Sequence, residues 1–289
     1  MGRTISQKFN TAFLQDTNKL NKFKIVLSNK FQAFHDLLNG EGTTVESNWK
    51  GIKEAKKGDL SNCVNYRGIT LLSIPEKVFN RVLLNRMKDC VDAQLRDQQA
   101  GFRKDRSCTD QIATLWIIVE QSIEWKSSLY INFIDYEKAF DSVDRTTLWK
   151  LLRHYGVPQK IVNIIQSSYD GLHCKIVHGG QLTKSFEVKT GVRQCCLLSP
   201  FLFLLVIDWI MKTSTSEGKH GIQWTSRMQL DDLALLSRTQ QQMQEKTNSV
   251  AAASAAVGLN IHKGKSKILR YNTACTDPIT IDGEDLEDV

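Results

Sequence analysis

The chain has 289 residues, 41% of them hydrophobic and 24% charged, enough for one large or two modest domains of ordinary globular character. Thirty-eight Lys and Arg against 31 Asp and Glu leave a net charge of +7 and a pI of about 9.0, which turns the search for partners toward nucleic acid or another anionic surface. Seven cysteines, odd in number and without a Cys-x-x-Cys pair, speak against a zinc framework and for reduced, mostly buried thiols in an intracellular protein.

Residues 1–55 are polar and rich in Lys and Asn, with weak amphipathic patches around Phe23–Leu27 and Phe31–Leu38. They read as a linker or a weakly structured helical arm, with a boundary near Ala55. Met1 to Asn10 is polar and no apolar core follows, so no secretory signal is expected. Beyond Lys56 the apolar patterning becomes denser. A short extended segment, Ile69–Ser73, leads to Pro75 in the first turn of a helix, with Val78, Phe79, Val82, Leu83 and Met87 as its apolar face. Lys77, Arg81, Arg86 and Lys88 form either a solvated basic face or a phosphate-facing one. The loop Gly101–Asp110 carries Arg103, Lys104 and Arg106, and Ser107 or Thr109 is the expected N-cap of a helix reaching about Trp125.

Leu129 to Arg145 reads LYINFIDYEKAFDSVDR. Its apolar run is a buried strand that stops abruptly at Asp135. A carboxylate there is costly to desolvate unless a cation holds it, and a hard metal such as Mg2+ suits it. Asp144 is placed to cap a helix with Leu148, Leu151 and Leu152 inward and Gly156 beyond its end, and a second helix covers Gln159 to about Tyr169. His173–Val177 and Gln181–Val188 flank Gly179-Gly180 as a hairpin. Gly191–Pro200 is a loop opening a helix, with Ser199 as N-cap and Pro200 in its first turn. The apolar run Phe201–Ile210 holds Asp208 and is too short and interrupted to cross a membrane. Two short strands around Met228–Leu230 and Leu233–Leu236 would carry Asp231 and Asp232 at a hairpin tip, where acidic turn residues are also commonly just solvated. A helix over Gln240–Val257 ends at Gly258, and the basic loop His262–Lys265 leads into a strand, Lys267–Tyr271. The final acidic residues read as an unfinished end.

This order of elements predicts an α+β domain with helices packed on one face of an antiparallel sheet. Asp135 can then meet Asp231 and Asp232, and clustered carboxylates repel unless cations neutralise them. Two Mg2+ ions would make a clamp for in-line phosphoryl transfer. An unrelated two-metal nuclease would need histidines or further carboxylates near the cluster, and His154, His173 and His178 show no such arrangement.

Six motifs occurring in order then resemble one family. NYRGITLLS, QAGFRKDRSCTDQI, FIDYEKAFDSVDR, TGVRQCCLLSPFLF, LDDLALLS and GLNIHKGKSKIL are similar to motifs of the reverse transcriptase domain of non-LTR (LINE-type) retrotransposons, of the kind joined to an apurinic-type endonuclease. The resemblance covers Lys56 to Val289. It implies a right-hand polymerase with palm and fingers, RNA-directed DNA synthesis, and an RNA template, a DNA primer and deoxynucleoside triphosphates as partners, with no membrane. By the same resemblance Asp135 and Asp231 are metal ligands for two Mg2+ ions, and Asp232 is a third carboxylate. Lys265 protonates leaving pyrophosphate, and Phe140 is the gate against a ribose 2′-hydroxyl. Arg193 and Gln194 contact nucleotide or template, Arg67 lies near the triphosphate, and Asp141 and Asp144 are structural helix caps. The family's fingers side corresponds to 56–128 and its palm to 129–289. A fingers segment bearing Gly-Pro-Asp and a thumb are expected to be absent. Cys195 stands where the family has Gly, Glu76 where relatives often have Gly, and Gln229-Leu230 where aromatic-Ala usually precedes the Asp pair. The single Asp pair resembles a deletion between two copies. A partial, partly degenerate domain is therefore expected, whose alternative fate is a catalytically dead fragment that still binds nucleic acid.

Overall fold

Leu129 to Phe133 is apolar on both alternating sets of residues, a pattern that requires cover on both sides of a strand. The computed structural model gives it that cover. It describes Thr70 and residues 72–103, 106–175, 177–178, 181–182, 184–194, 196–215 and 234–289, which fall in a compact unit from Gly68 to Val289. In chain order the helices are α1 (Ile74–Asp92), α2 (Cys108–Glu124), α3 (Ala139–Ser142), α4 (Arg145–His154), α5 (Gln159–Tyr169), α6 (Ser199–Thr215) and α7 (Gln240–Ala255). The strands are β1 (Leu129–Phe133), β2 (His173–Cys174), β3 (Val177–His178), β4 (Gln181–Leu182), β5 (Phe186–Glu187), β6 (Ala234–Ser237), β7 (Lys267–Tyr271), β8 (Thr280–Ile281), β9 (Glu284–Asp285) and β10 (Glu287–Asp288).

The main sheet has the order β10-β7-β1-β6. β1 pairs antiparallel with β6, Phe133 opposite Ala234 and Tyr130 opposite Ser237, and antiparallel with β7, Phe133 opposite Lys267. Side chains alternate across it. Tyr130, Leu235 and Ile268 join the large core built with α1, α4, α5, α6 and α7. Leu129, Ile131, Ala234 and Leu236 form a second layer with Leu115 and Ile118 of α2. The expected helical layer on one face is present, and α2 adds cover to the other.

α6 is apolar nearly all round and is correspondingly buried. Leu202, Leu205, Val206 and Ile210 are fully inaccessible, each contributing about 1.5–3 kcal/mol of burial. Asp208 in this helix is also fully buried, because its charge is answered from three directions. It accepts from Tyr155 Oη at 2.5 Å and from Arg96 N and Nε at 3.0 and 3.3 Å, and Lys212 Nζ lies 3.0 Å away. Burial, then the adjacent Asp208 carboxylate, push the Tyr155 hydroxyl far above its ordinary pKa.

One expectation changes. On α1 the buried stripe is Asn80, Leu83, Leu84, Met87 and Val91, while Ile74, Val78, Phe79 and Val82 are exposed. The helix carries two apolar stripes, and tertiary packing selects only one of them. The acidic residues near Val289 pair into the sheet. Ile279, Ile281 and Leu286 are buried, β8 and β9 form a hairpin, and β10 runs parallel to β7. Opposite charges favour that last pairing: Lys267 meets Glu287, and Arg270 meets Asp288 at 3.0 Å. The β2–β5 and β3–β4 ladders form the hairpin expected after α5. Its tip residues, Gly179 and Gly180, lie outside the described residues, as do 1–69 and the strand expected at Met228–Leu230. The described cysteines form no disulfide, and no described helix is long and apolar enough to cross a membrane.

Candidate active site

β1 ends one residue before Ile134, which turns into the core, and the half-buried Asp135 follows. Backbone bonds hold Asp135 from two sides. Its N–H donates to Ser266 Oγ at 3.1 Å, and its carbonyl accepts from His262 N at 2.7 Å. The next residue, Tyr136, bridges Ile261, and Glu137 N donates to Asn260 O at 2.9 Å. The segment 260–266 therefore brackets Asp135, and the exposed Lys265 sits in a short turn of that segment, Lys263–Lys265. Neighbouring Lys263 is engaged by Glu284 at 2.9 Å and Asp282 at 3.6 Å. Gly258 starts this segment at φ +82°, where an added Cβ would lie 2.7 Å from Ser142 O. Only glycine lets the two segments approach so closely.

Among the described residues, nothing pairs with the Asp135 carboxylate, and no three acidic, His or Cys side chains gather as a metal centre. Asp231 and Asp232, its expected partners, lie outside the described residues. The donor chemistry fits a divalent cation: a half-buried, unpaired carboxylate at a rigid strand end supplies the oxygen ligand that hard metals prefer.

Phe140 lies in α3, past a left-handed turn at Lys138. Its ring stacks on Phe203 of α6, centroids 4.8 Å apart at 25°. The FDSVDR segment is joined closely to the loop 190–194. Val192 N donates to Phe140 O at 2.7 Å and Gly191 N to Val143 O at 2.9 Å. Gly191 has φ +73°, and a Cβ there would sit 2.5 Å from Asp141 O. Asp144 is the N-cap of α4, as expected, accepting from Thr147 N at 2.7 Å. Asp141 is not a cap. Its carboxylate accepts from Gln194 Nε2 at 3.0 Å on both oxygens, and its carbonyl accepts from Thr190 Oγ1 at 3.0 Å. Gln194, expected at the nucleotide or template, is thus oriented by an acidic side chain from the other motif. Cys195 lies outside the described residues.

Arg193 donates from Nη2 to Ser168 O at 2.5 Å, and its guanidinium lies 4.9 Å from the Tyr169 ring centroid. Arg145 lies at the same 4.9 Å from that ring. It donates to four main-chain carbonyls: Gly191 at 2.9, Val188 at 2.7, Thr190 at 2.9 and Tyr169 at 3.4 Å. Burial, with a smaller contribution from Arg193, lowers the Arg145 pKa. Sequence reasoning did not single out Arg145 or Tyr169. The nearest signal was the position of Arg145 as the last residue of FDSVDR.

Glu76 has a structural use. It completes a capping box with Ser73 at the start of α1, and its hydrogen bonds to Ser73, ahead of the charge of Arg193, hold its carboxyl below the usual range. The expected basic loop divides. Arg103 is turned inward, 5% exposed, and pairs with Asp92 at 2.9 Å while donating to the carbonyls of Arg96, Gln99 and Asp92. Its fork of donors folds the loop between α1 and α2 instead of meeting a phosphate. Arg106 is exposed beside Asp97 at 3.3 Å. Lys104 and Arg67 lie outside the described residues.

The family model described as "Reverse transcriptase (RNA-dependent DNA polymerase)" matches residues 55–279, and the chain belongs to that family. Its curated relatives are retrotransposable-element proteins. It is 29% identical over 204 residues to the Retrovirus-related Pol polyprotein from type-2 retrotransposable element R2DM of Drosophila melanogaster, covering 70% of this chain and 19% of the relative. It is 26% identical over 246 residues to the polyprotein of type-1 retrotransposable element R2 of Popillia japonica, covering 83% and 34%. With the Transposon TX1 uncharacterized 149 kDa protein of Xenopus laevis it shares 29% identity over 153 residues, covering 53% and 12%. The chain thus spans between about a tenth and a third of these relatives. Among solved structures, apo telomerase from Candida tropicalis, truncated from its C-terminal domain, matches with TM-score 0.44 and 14% identity over 74% of this chain and 43% of that one. Telomerase from Candida tropicalis in complex with a fragment of telomeric RNA matches with TM-score 0.46 and 12% identity, covering 86% and 39%.

Proposed function

We propose that this chain performs RNA-directed DNA synthesis for a non-LTR retrotransposon, adding deoxynucleotides to a DNA primer on an RNA template at a site built on Asp135, Asp231 and Asp232. The pairing of β1 with β6 is the observation that carries this reading. Phe133 stands opposite Ala234. Counting two residues on from Phe133 reaches Asp135, and two residues back from Ala234 reaches Asp232. In sequence, Asp135 thus follows β1 and the Asp231-Asp232 pair precedes β6 at the same end of the ladder, which supports bringing the two motifs together.

The reverse transcriptase family uses a divalent metal. Here two Mg2+ ions held by Asp135 and Asp231 would neutralise charge on the transferring phosphoryl group and lower the pKa of the primer hydroxyl. Ser266 and His262 fix the backbone of Asp135 for this, which limits the reorganisation needed to present its carboxylate. Lys265, carried by the same segment, donates the proton taken by leaving pyrophosphate. Phe140, backed by Phe203, excludes a 2′-hydroxyl. Arg193 and Arg67 meet the triphosphate, Gln194 is aimed by Asp141 at nucleotide or template, and Lys104 and Arg106 follow the nucleic-acid backbone.

Primer extension on an RNA template with Mg2+, using the full chain, tests this. Wild type incorporates deoxynucleotides, and Asp135→Asn lowers the rate about a thousandfold or more, as loss of a metal ligand should, with template-primer affinity within about twofold. Folded wild type that binds template-primer in a salt-dependent way without extending it would instead identify a nucleic-acid-binding remnant.

A further inference from the structure

Arg145 is the first residue of α4, where a cation opposes the helix dipole. Helix energetics therefore give no reason for it. Nor does charge pairing: among the described residues no carboxylate lies within ion-pair distance of Arg145 or Arg193. Both guanidinium groups lie 4.9 Å from the centroid of one buried ring, Tyr169; burial, and to a smaller extent the charge of Arg193, lower the Arg145 pKa. Asp170 and Glu76 act on this pair only from beyond ion-pair distance, and two cations held together on one ring form an arrangement that an anion completes.

Arg145 has little left to offer that anion, because four of its five N–H donors are engaged. Nε and both Nη groups point at the carbonyls of Gly191, Val188, Thr190 and Tyr169. Three of these carbonyls belong to the segment that delivers Arg193 and Gln194, and the fourth belongs to Tyr169 itself, whose hydroxyl accepts from Arg193 N at 3.4 Å. Arg193, by contrast, has only one such anchor from its guanidinium, at Ser168 O. We propose that Arg145 is a positioning residue for nucleotide binding: it clamps the loop 188–191 and, through Tyr169, sets the Arg193 guanidinium to receive the triphosphate. The planar fork is essential to this, since lysine presents a point charge that cannot span four carbonyls. The assignment rests on the nucleotide-polymerising reading given above.

The test is equilibrium binding of dTTP with Mg2+ to the full chain, beside primer-extension kinetics. Arg145→Lys keeps the charge and loses the fork. Tyr169→Leu keeps apolar bulk and loses the ring. Each raises the dTTP Kd, and the KM in extension, by tenfold or more, with kcat and template-primer affinity within about threefold of wild type. A merely structural residue would lower thermal stability without this split. Wild-type dTTP affinity in either folded variant overturns the proposal, as does a wild-type chain that binds no dTTP. If wild type binds dTTP and the variants lose it, but no primer is extended, the polymerase reading fails and the clamp stands.

Discussion

Phe140 shows how much one side chain depends on what lies behind it. A ring can reject a 2′-hydroxyl only if it does not yield, and the stack on Phe203 at 4.8 Å gives it a fixed backing in the core. A hydrophobic contact rejects an added hydroxyl by roughly a hundredfold. Phe140→Ala should therefore lower the ratio of kcat/KM for deoxynucleotides over ribonucleotides by about that factor, measured in single-nucleotide extension. Phe140 and Asp135 could be proposed from the sequence because each lies in one unbroken motif. Asp141 and Arg145 lie in the same motif, yet their uses were hidden. Gln194 binds Asp141 from 53 residues away, and Gly191 accepts from Arg145 46 residues on. Local spacing carries no trace of such partners. The partners of Arg103 were hidden for the same reason: a basic side chain in a loop reads as a surface charge until Asp92 and three carbonyls are seen around it.

Elements with strong local signals matched the sequence reading closely. Gln159–Tyr169 and Lys267–Tyr271 have the expected bounds, and Ser107 and Asp144 cap their helices as expected. α1 did not follow, because its sequence offers two apolar stripes and only packing chooses between them. The pairing of the acidic end with β7 was not legible, since it depends on distant cations at Lys267 and Arg270. Asp208 marks the clearest tension between elements, a carboxylate at the centre of the most apolar helix. It joins α6 to Tyr155, the C-cap of α4, and to Arg96 beyond α1. Removing one partner of a buried charge network leaves the rest uncompensated. Asp208→Asn should accordingly destabilise the fold by about 3 kcal/mol in urea unfolding, with little change in the slope.

Across the chain, the six motifs announced the family because each is contiguous, whereas the sheet that assembles them is made of pairings between distant segments. β1 is its axis: its apolar residues serve two cores, and it delivers Asp135 to the segment around Lys265. The net charge of +7 suits the proposed partners without specifying them. What specifies them is the carboxylate set, and the central claim is that Asp135 and Asp231 hold the same metal. Fe2+ substituted for Mg2+, with ascorbate and peroxide, cuts a polypeptide beside the residues that ligate it. Two groups of cuts should appear, one at Asp135 and one at Asp231. Both should be suppressed by excess Mg2+ and lost together in Asp135→Asn. Cuts at Asp231 that persist in that variant, or cuts at neither aspartate, would contradict the account.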